Sequence, residues 1–130
     1  MSKDLDMIAT VRKDLRDAIQ AGAGDARVYL SPPSPFYGPA ILVTEGSPFI
    51  EAGDTTGAAV FAFEVLILVD VKSDAAVMVK DLDRRVSAVL DALWHEYAVT
   101  VGPYETFTFA NNQPFLGARL SVASDGWKII

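Results

Sequence analysis

Residues 58–71, AAVFAFEVLILVDV, form the most apolar stretch of the sequence, and only Glu64 and Asp70 are charged. Its β-branched and aromatic content predicts a strand. Its fourteen residues fall short of the ~20 that a membrane-spanning helix needs. Neighbouring side chains of a strand point to opposite faces. All odd positions from Phe61 to Val71 are apolar, which predicts that this face packs against helices of the same chain.

The even face of this stretch is more apolar than a solvent-facing strand surface usually is. Its members are Val60, Ala62, Glu64, Leu66, Leu68 and Asp70. A continuous strand of this length would reach roughly 45 Å, whereas a compact domain of this size is about 35–40 Å across. We therefore expect the strand to be broken, or to project and be covered by another subunit. The candidate subunit-interface residues are Val60, Ala62, Leu66 and Leu68.

A second explanation for the even face stays open. Residues 126–130, GWKII, or one of the helices could cover it within the same chain. Burying three side chains of this size contributes roughly 1.5–3 kcal/mol each, which is comparable with the low end of the ~4–15 kcal/mol cost of association. The sequence alone does not choose between the two explanations.

Length and charge limit the classes of protein to consider. The chain has 130 residues, which predicts a single domain over residues 1–130. The net charge of -6 and the scattered basic residues argue against a nucleic-acid-binding surface. The absence of cysteine excludes disulfides, thiolate metal sites and a cysteine nucleophile. The polar, periodic N-terminus is unlike a signal peptide, so we expect a soluble protein.

Apolar periodicity predicts two amphipathic helices. The first carries a stripe of Leu5, Ile8, Val11, Leu15, Ala18, Ile19 and Gly22. The second begins at Ser73 and Asp74 and carries Val79, Leu82, Val86, Val89, Leu90, Leu93 and Tyr97 on one face. Asp81 and Arg85 are expected to form an ion pair on its outer side.

The rest of the sequence predicts strands and connections. Strands are expected at 27–30, 40–44, 58–71, 98–102, 104–109 and 114–124, with a proline-rich connection at 31–39 and a hairpin turn at Asn111 and Asn112. The element order predicts an α+β fold, with a mainly antiparallel or mixed sheet of four to five strands and two helices packed on one face.

Residues 45–57, EGSPFIEAGDTTG, are predicted to form a long polar loop. Loops of this length are uncommon unless they bind a partner or move. The candidate partner-contact residues are Ser47, Phe49, Ile50, Glu51 and Asp54. The alternative is that Phe49 and Ile50 fold back onto their own sheet.

The residues offer no catalytic pattern. His95 is the only histidine, and the helix end where it is predicted to lie would favour its charge without any chemistry. Glu64 and Asp70 would lie about 20 Å apart along one strand, too far for a carboxylate pair. We expect no catalytic residue, cofactor or metal.

A different class of function is a monomeric small-molecule-binding or enzymatic domain. It would use Tyr29, Phe36, Tyr37 and Trp94 as a pocket and His95 or Asp54 as its polar group.

The order of elements resembles a known family. An amphipathic helix leads to ARVYLSPPSPFYGPAILV at 26–43, and an acidic loop is followed by FAFEVLILVDV at 61–71 and SDAAVMVKDLDRRVSAVLDAL at 73–93. This pattern is similar to the tail terminator proteins (tail completion or head–tail joining proteins) of long-tailed double-stranded DNA bacteriophages. The similarity extends over nearly the whole chain, although its motifs are loose.

The resemblance implies a structural virion protein that is not an enzyme. Such subunits form a ring, usually hexameric, that caps the tail tube, stops its polymerisation and joins the tail to the head. The implied partners are other copies of the chain, the tail tube protein and the head-completion or connector protein, with no membrane involved. DNA would pass through the lumen without specific binding. The implied location is the head–tail junction of the virion, after assembly in the host cytoplasm. Another neck or tail component is the alternative within the same class.

Overall fold

Two helices and one mixed sheet make up the computed structural model, which describes residues 7–31, 38–52, 58–71, 74–109 and 114–124 and the backbone of 127–128. Helix α1 spans Met7–Gly22 and α2 spans Ala75–Leu93. The strands are β1 Arg27–Tyr29, β2 Ala40–Ala52, β3 Ala58–Asp70, β4 Tyr97–Val101, β5 Glu105–Thr108, β6 Pro114–Ser124 and β7 Trp127–Lys128. The predicted α+β class is confirmed. The described sheet has six strands and the two-residue β7, more than the four to five predicted.

The sheet is built around β3, which lies between β2 and β6. β1 pairs with β2 in parallel, and the other described pairs are antiparallel. β4 pairs with the C-terminal part of β6 and β5 with its N-terminal part, so β4 and β5 together form one edge of the sheet. Both helices pack on the same face, which we call the helix face. We call the opposite surface of the sheet the second face.

Helix α1 contributes Val11, Leu15 and Ile19 to the core, as its four-residue spacing predicts. Ile8 was expected on the same stripe but is 39% exposed, because it lies one turn before the buried part begins. Leu5 lies outside the described residues. At the other end, a Cβ on Gly22 would approach the carbonyl oxygen of Ala88 to 2.6 Å. The two helices therefore cross closely at a position where only glycine fits.

Helix α2 begins after Asp74, whose Oδ1 accepts hydrogen bonds from the backbone N–H groups of Ala76 and Val77. Its buried residues are Leu82, Arg85, Val86, Val89 and Leu93. Val79 was expected on this face but is 42% exposed, because it lies at the border of the stripe that runs through Leu82 and Val89. Neither helix of the described chain is long and apolar enough to cross a membrane.

Strand β3 is continuous, which corrects the expectation of a broken or projecting strand. β2 pairs with it from Ala59 to Leu68, and β6 with β7 pairs with it over nearly its whole length. The neighbouring strands are long enough to cover it because β2 and β6 have 13 and 11 residues. The odd positions from Phe61 to Val69 are buried against the helices, as predicted. Val71 follows the end of the strand and is 46% exposed.

The expected loop at 45–57 is mostly strand, because β2 continues to Ala52. The pairing with β3 shifts between Glu45 and Ile50, so the four residues 46–49 form a bulge opposite Ala62. A Cβ on Gly46 would lie 2.9 Å from the backbone of Ala62, so this close approach requires a glycine. The glycine and proline that suggested a loop instead bend a paired strand. Residues 53–57, including Asp54, lie outside the described part.

Candidate functional site

The second face of the sheet has an apolar half at one end of β3. Ala40, Leu42, Leu66, Leu68 and Phe115 form a buried cluster there, and Tyr29, Phe107 and Phe109 pack against it. Leu68 is fully buried and Leu66 is 9% exposed. A Cβ on Gly117 would meet both Leu68 and the Phe107 ring at under 3 Å, so the ring lies directly on the strand below it. At the C-terminal end of β3 the sheet is therefore packed on both faces, by the helices on one and by this aromatic cluster on the other.

Two of the four candidate interface residues are therefore internal. Leu66 and Leu68 were expected to contact a neighbouring copy, but aromatic side chains of the same chain cover them. The alternative of cover by the same chain holds at these two positions, although the described cover comes from β1 and β5 rather than from a helix. A carboxylate at Leu68 would be fully buried in an apolar cluster and would destabilise the monomer itself, so aspartate there does not test assembly.

The other half of the second face is open, and we call it the open half. Its residues are Ala62, Glu64, Ala98, Thr100, Ser121 and Ala123. Direct pairing aligns them in two rows across β3, β6 and β4, with Ala62, Ala123 and Ala98 in one row and Glu64, Ser121 and Thr100 in the other. All six side chains are exposed or half-buried. They line a shallow depression of about 300 Å³ that Gly46 and Ser47 border.

The open half brings together several of the predicted contact residues. Ala62 lies in its floor and Ser47 at its rim. Val60 and Glu51 are paired partners on the same face, at the next even position of β3. Val60 is half-buried and Glu51 is exposed. Ser47 and Glu51 from β2 thus lie beside Val60 and Ala62 from β3, although the sequence placed them in separate groups.

Phe49 and Ile50 are on the other side of the sheet. The Phe49 ring makes edge contacts with Phe61 and Phe63, and the Arg12 guanidinium lies 5.0 Å from its centroid. Arg12 also binds the Glu45 carboxylate at 2.6 Å. The alternative that Phe49 folds back onto its own sheet is therefore the one observed. Ile50 pairs with Phe61 and keeps 39% of its surface exposed.

The principal charged cluster surrounds Arg85, which is 8% exposed. Its guanidinium donates to Asp25 at 2.7 Å and to Asp81 at 3.3 Å. The pair with Asp81 was predicted on the outer side of α2, but Asp25 draws the guanidinium inward. Burial opposes the charge on Arg85, yet these hydrogen bonds outweigh it and raise the pKa of the guanidinium. The same hydrogen bond lowers the pKa of Asp25.

This cluster lies at the rim of a second depression of about 400 Å³, which also contains Pro39, Val69, Asp70, Val77 and Met78. The Oδ1 atom of Asp70 accepts a hydrogen bond from the Gly38 N–H. Arg85 is already bound by two carboxylates, so it does not offer a free charge to an anionic ligand. The arrangement is that of a structural ion-pair network connecting the α1–β1 turn to α2.

The aromatic pocket of the alternative function is not assembled from the described residues. Tyr29 packs against the apolar cluster on the second face, whereas Trp94 ends α2 on the helix side and is 64% exposed. Phe36 and Tyr37 lie outside the described residues. His95 is exposed in the turn after α2 and borders a shallow depression with Glu96 and Ser124. Glu64 and Asp70 are engaged separately, by Arg119 at 3.9 Å and by Gly38.

Tyr104 is a half-buried phenol in the connection between β4 and β5. Burial and a hydrogen bond that its hydroxyl donates to Asp83 raise its pKa to about 12. This phenol therefore stays protonated and serves as a hydrogen-bond donor rather than as a base.

Among the residues that the structure describes, no three His, Asp or Glu side chains are grouped so as to hold a metal ion.

Sequence reasoning missed the polar floor of the open half. Thr100, Ser121 and Ala123 were recognised only as members of the strands predicted at 98–102 and 114–124, because small residues carry no signal of their own. Pairing of β4 with β6, which aligns Thr100 with Ser121, is the information that the sequence lacked.

No protein-family model matches the chain, and no curated protein sequence matches it.

Proposed function

We propose that this chain is a structural subunit of a bacteriophage tail. It forms a ring that caps the tail tube, ends tube polymerisation and joins the tail to the head connector. The main support is the resemblance of residues 26–43 and 61–93 to tail terminator proteins, together with an element order that fits such a subunit. In the proposed ring, which is expected to be hexameric, the partners are sister copies, the tail tube protein and the connector.

The open half of the second face is the best candidate for contact between subunits. Both helices cover the opposite face, and the small side chains of Ala62, Ala98 and Ala123 let another backbone approach closely. Val60, Ser47 and Glu51 extend this surface along β2 and β3. A ring needs contacts between two different patches of each subunit, so this surface would meet a different part of the neighbouring copy.

The charge distribution supports a lumen through which DNA passes without binding. Among the described arginines, Arg12, Arg16, Arg84, Arg85 and Arg119 each lie within 4 Å of a carboxylate. The net charge of -6 leaves the surface negative. Such a surface repels the DNA backbone rather than holding it. The proposal assigns the protein no enzymatic activity and places it at the head–tail junction of the virion.

Negative-stain electron microscopy and light scattering of the purified protein test the proposal. We expect six-fold rings, alone or on the ends of tail tubes. Ser121→Arg places a long charged side chain in the open half and is expected to prevent ring formation without unfolding the subunit, because Ser121 is exposed. Ser87→Arg on the exposed side of α2 is the matched control. A protein that remains monomeric at every concentration and in the presence of tail tubes would contradict the proposal.

The second candidate is a monomeric domain that binds a small molecule. The depression of about 400 Å³ beside Arg85 is large enough for such a ligand, which is the observation in its favour. Native mass spectrometry of the purified protein separates the two functions, because a co-purifying metabolite on a monomer would support the second one.

A further inference from the structure

The outer edge of β4 carries backbone hydrogen-bonding groups that no described strand pairs with. The Gly102 N–H donates to the Arg119 carbonyl at 2.9 Å, in register with the β4–β6 ladder. Bonded and non-bonded pairs alternate along an antiparallel ladder, so the even residues of β4 bond to β6. The N–H and C=O groups of Tyr97, Val99 and Val101 therefore point away from β6. Within the described part of the chain, none of these three residues has a backbone hydrogen bond beyond the strand pairing.

Strand β4 itself contains no charged residue, proline or bulge, which are three of the features that protect edge strands. Natural edges are blunted by charges, prolines, bulges or short length. The opposite edge of the sheet has them, because β1 has three residues and the exposed part of β2 contains a bulge with Pro48 and two glutamates. By contrast, β4 reads YAVTV and has no charge, no proline and no bulge.

The side chains of β4 suit a partner strand in which apolar and polar residues alternate. Tyr97, Val99 and Val101 lie on the helix face, and Ala98 and Thr100 lie on the second face. Val101 is 37% exposed and Trp94, three residues before the strand, is 64% exposed. A strand added beside β4 would place its apolar side chains next to this exposed surface and its polar side chains beside Thr100.

Carboxylates surround this bare edge. Glu96 precedes β4 and Glu105 begins β5 on the same edge, and both are exposed. Burial raises the pKa of the Tyr97 phenol, and the charges of Asp14 and Glu96 add to the increase, so both carboxylates lie close to the strand. Arg119 of the neighbouring β6 strand lies over the Phe107 ring and within 4 Å of Glu64. A second copy of this acidic chain would meet like charges here.

We propose that the edge of β4 binds an extended segment of another protein, with alternating apolar and polar residues flanked by lysine or arginine, by adding it to the sheet as a further strand. Main-chain hydrogen bonds to Val99 and Val101 hold the segment, and Glu96 and Glu105 select its basic ends. The inference goes beyond the proposed function and depends on β4 and the two carboxylates beside it, so it can fail or hold independently of ring formation.

The test uses a labelled peptide, Lys-Lys-Thr-Val-Thr-Val-Thr-Lys-Lys, and the full chain in fluorescence anisotropy. A second peptide has glutamate in place of each lysine. We expect the lysine peptide to bind and the glutamate peptide to bind at least about tenfold more weakly, with the difference decreasing as salt is added. Hydrogen exchange should slow at the amides of Val99 and Val101 when the lysine peptide is bound.

Two variants at one position separate backbone pairing from side-chain contact. Val101→Pro removes an outward N–H that β6 does not use, and proline is tolerated on edge strands. It is expected to weaken peptide binding by about fivefold, the value of one main-chain hydrogen bond. Val101→Ala keeps the N–H and is expected to change affinity by less than about twofold. Circular dichroism checks that both variants fold.

Three results would overturn the proposal. They are no binding of the lysine peptide up to about 1 mM, equal binding of the two peptides, and unchanged protection of the Val99 and Val101 amides in the complex. Self-association through β4 that excludes the peptide would also overturn it, in favour of a second copy as the occupant. The hydrogen-exchange result decides the question even if Val101→Pro does not fold.

Discussion

Replacing Leu68 by alanine tests whether the second face contains a true core. Leu68 is fully buried between strands of its own chain and the Phe107 and Phe115 rings. Leucine-to-alanine changes at such sites cost about 2–5 kcal/mol, because transfer free energy is lost and a cavity remains. We expect a loss of about 3 kcal/mol in the free energy of unfolding, since the surrounding strands cannot collapse into the space. That corresponds to a fall of roughly 12 °C in Tm for a domain of this size.

The assay is urea unfolding followed by tryptophan fluorescence and circular dichroism, at several protein concentrations. A contact within one chain gives the same loss of free energy at every concentration, whereas a contact between subunits makes the loss depend on concentration. Ile50→Ala is the control, because Ile50 is 39% exposed and its truncation should cost less than about 1 kcal/mol. A cost below about 1 kcal/mol for Leu68→Ala, or one that vanishes on dilution, would refute the internal-core interpretation.

Three further outcomes are expected, each measured by the same unfolding assay. Gly117→Ala should cost about 1–3 kcal/mol, because its Cβ would lie 2.8 Å from ring carbons of Phe107; a neutral result would mean that the ring is not seated there. Asp74→Ala should cost about 1 kcal/mol by removing the N-cap of α2, and Asp74→Asn should restore most of it. The pKa values of Asp25 and Asp81 are lowered below the ordinary 3.8, so the stability that these carboxylates contribute is present above that pH and is lost as pH falls through their pKa values in the folded protein. Asp81→Asn should therefore reduce the loss of unfolding free energy between neutral and acid pH. An unchanged pH dependence would contradict the pairing of Asp81 with arginine.

Much of the helix layer was predictable because the periodicity of apolar residues determines which side of an element is buried. Val11, Leu15 and Ile19 on α1, and the odd positions of β3, needed no tertiary information. Leu66 and Leu68 were different, because the residues that cover them, Phe107 among them, belong to a strand far along the chain. Sequence alone showed that the even face was apolar but not which element would cover it.

Other predictions were wrong because pairing between distant parts of the chain overrode the local sequence signal. Gly46 and Pro48 are typical of a loop, and residues 45–57 were interpreted as one. In the fold Gly46 and Pro48 belong to a bulge within β2, and the strand pairs with β3 both before and after this bulge. Arg85 was placed outside because charges usually are, and its burial depends on Asp25, which lies in the turn before β1. Neither outcome is visible in a window of neighbouring residues.

The central position of β3 also has a consequence for how the chain folds. Asp70 pairs with Phe115 and Ala62 with Ala123, so the second neighbour of β3 is absent until residues 114–124 have been synthesised. Such long-range pairing slows folding. Until then the nascent chain presents the unpaired backbone edge of β3 and the side chain of Leu68, which Phe107 and Phe115 cover later, and such a margin is prone to association with other chains. Completion of the fold must therefore follow translation of β6 rather than accompany the emergence of its earlier elements.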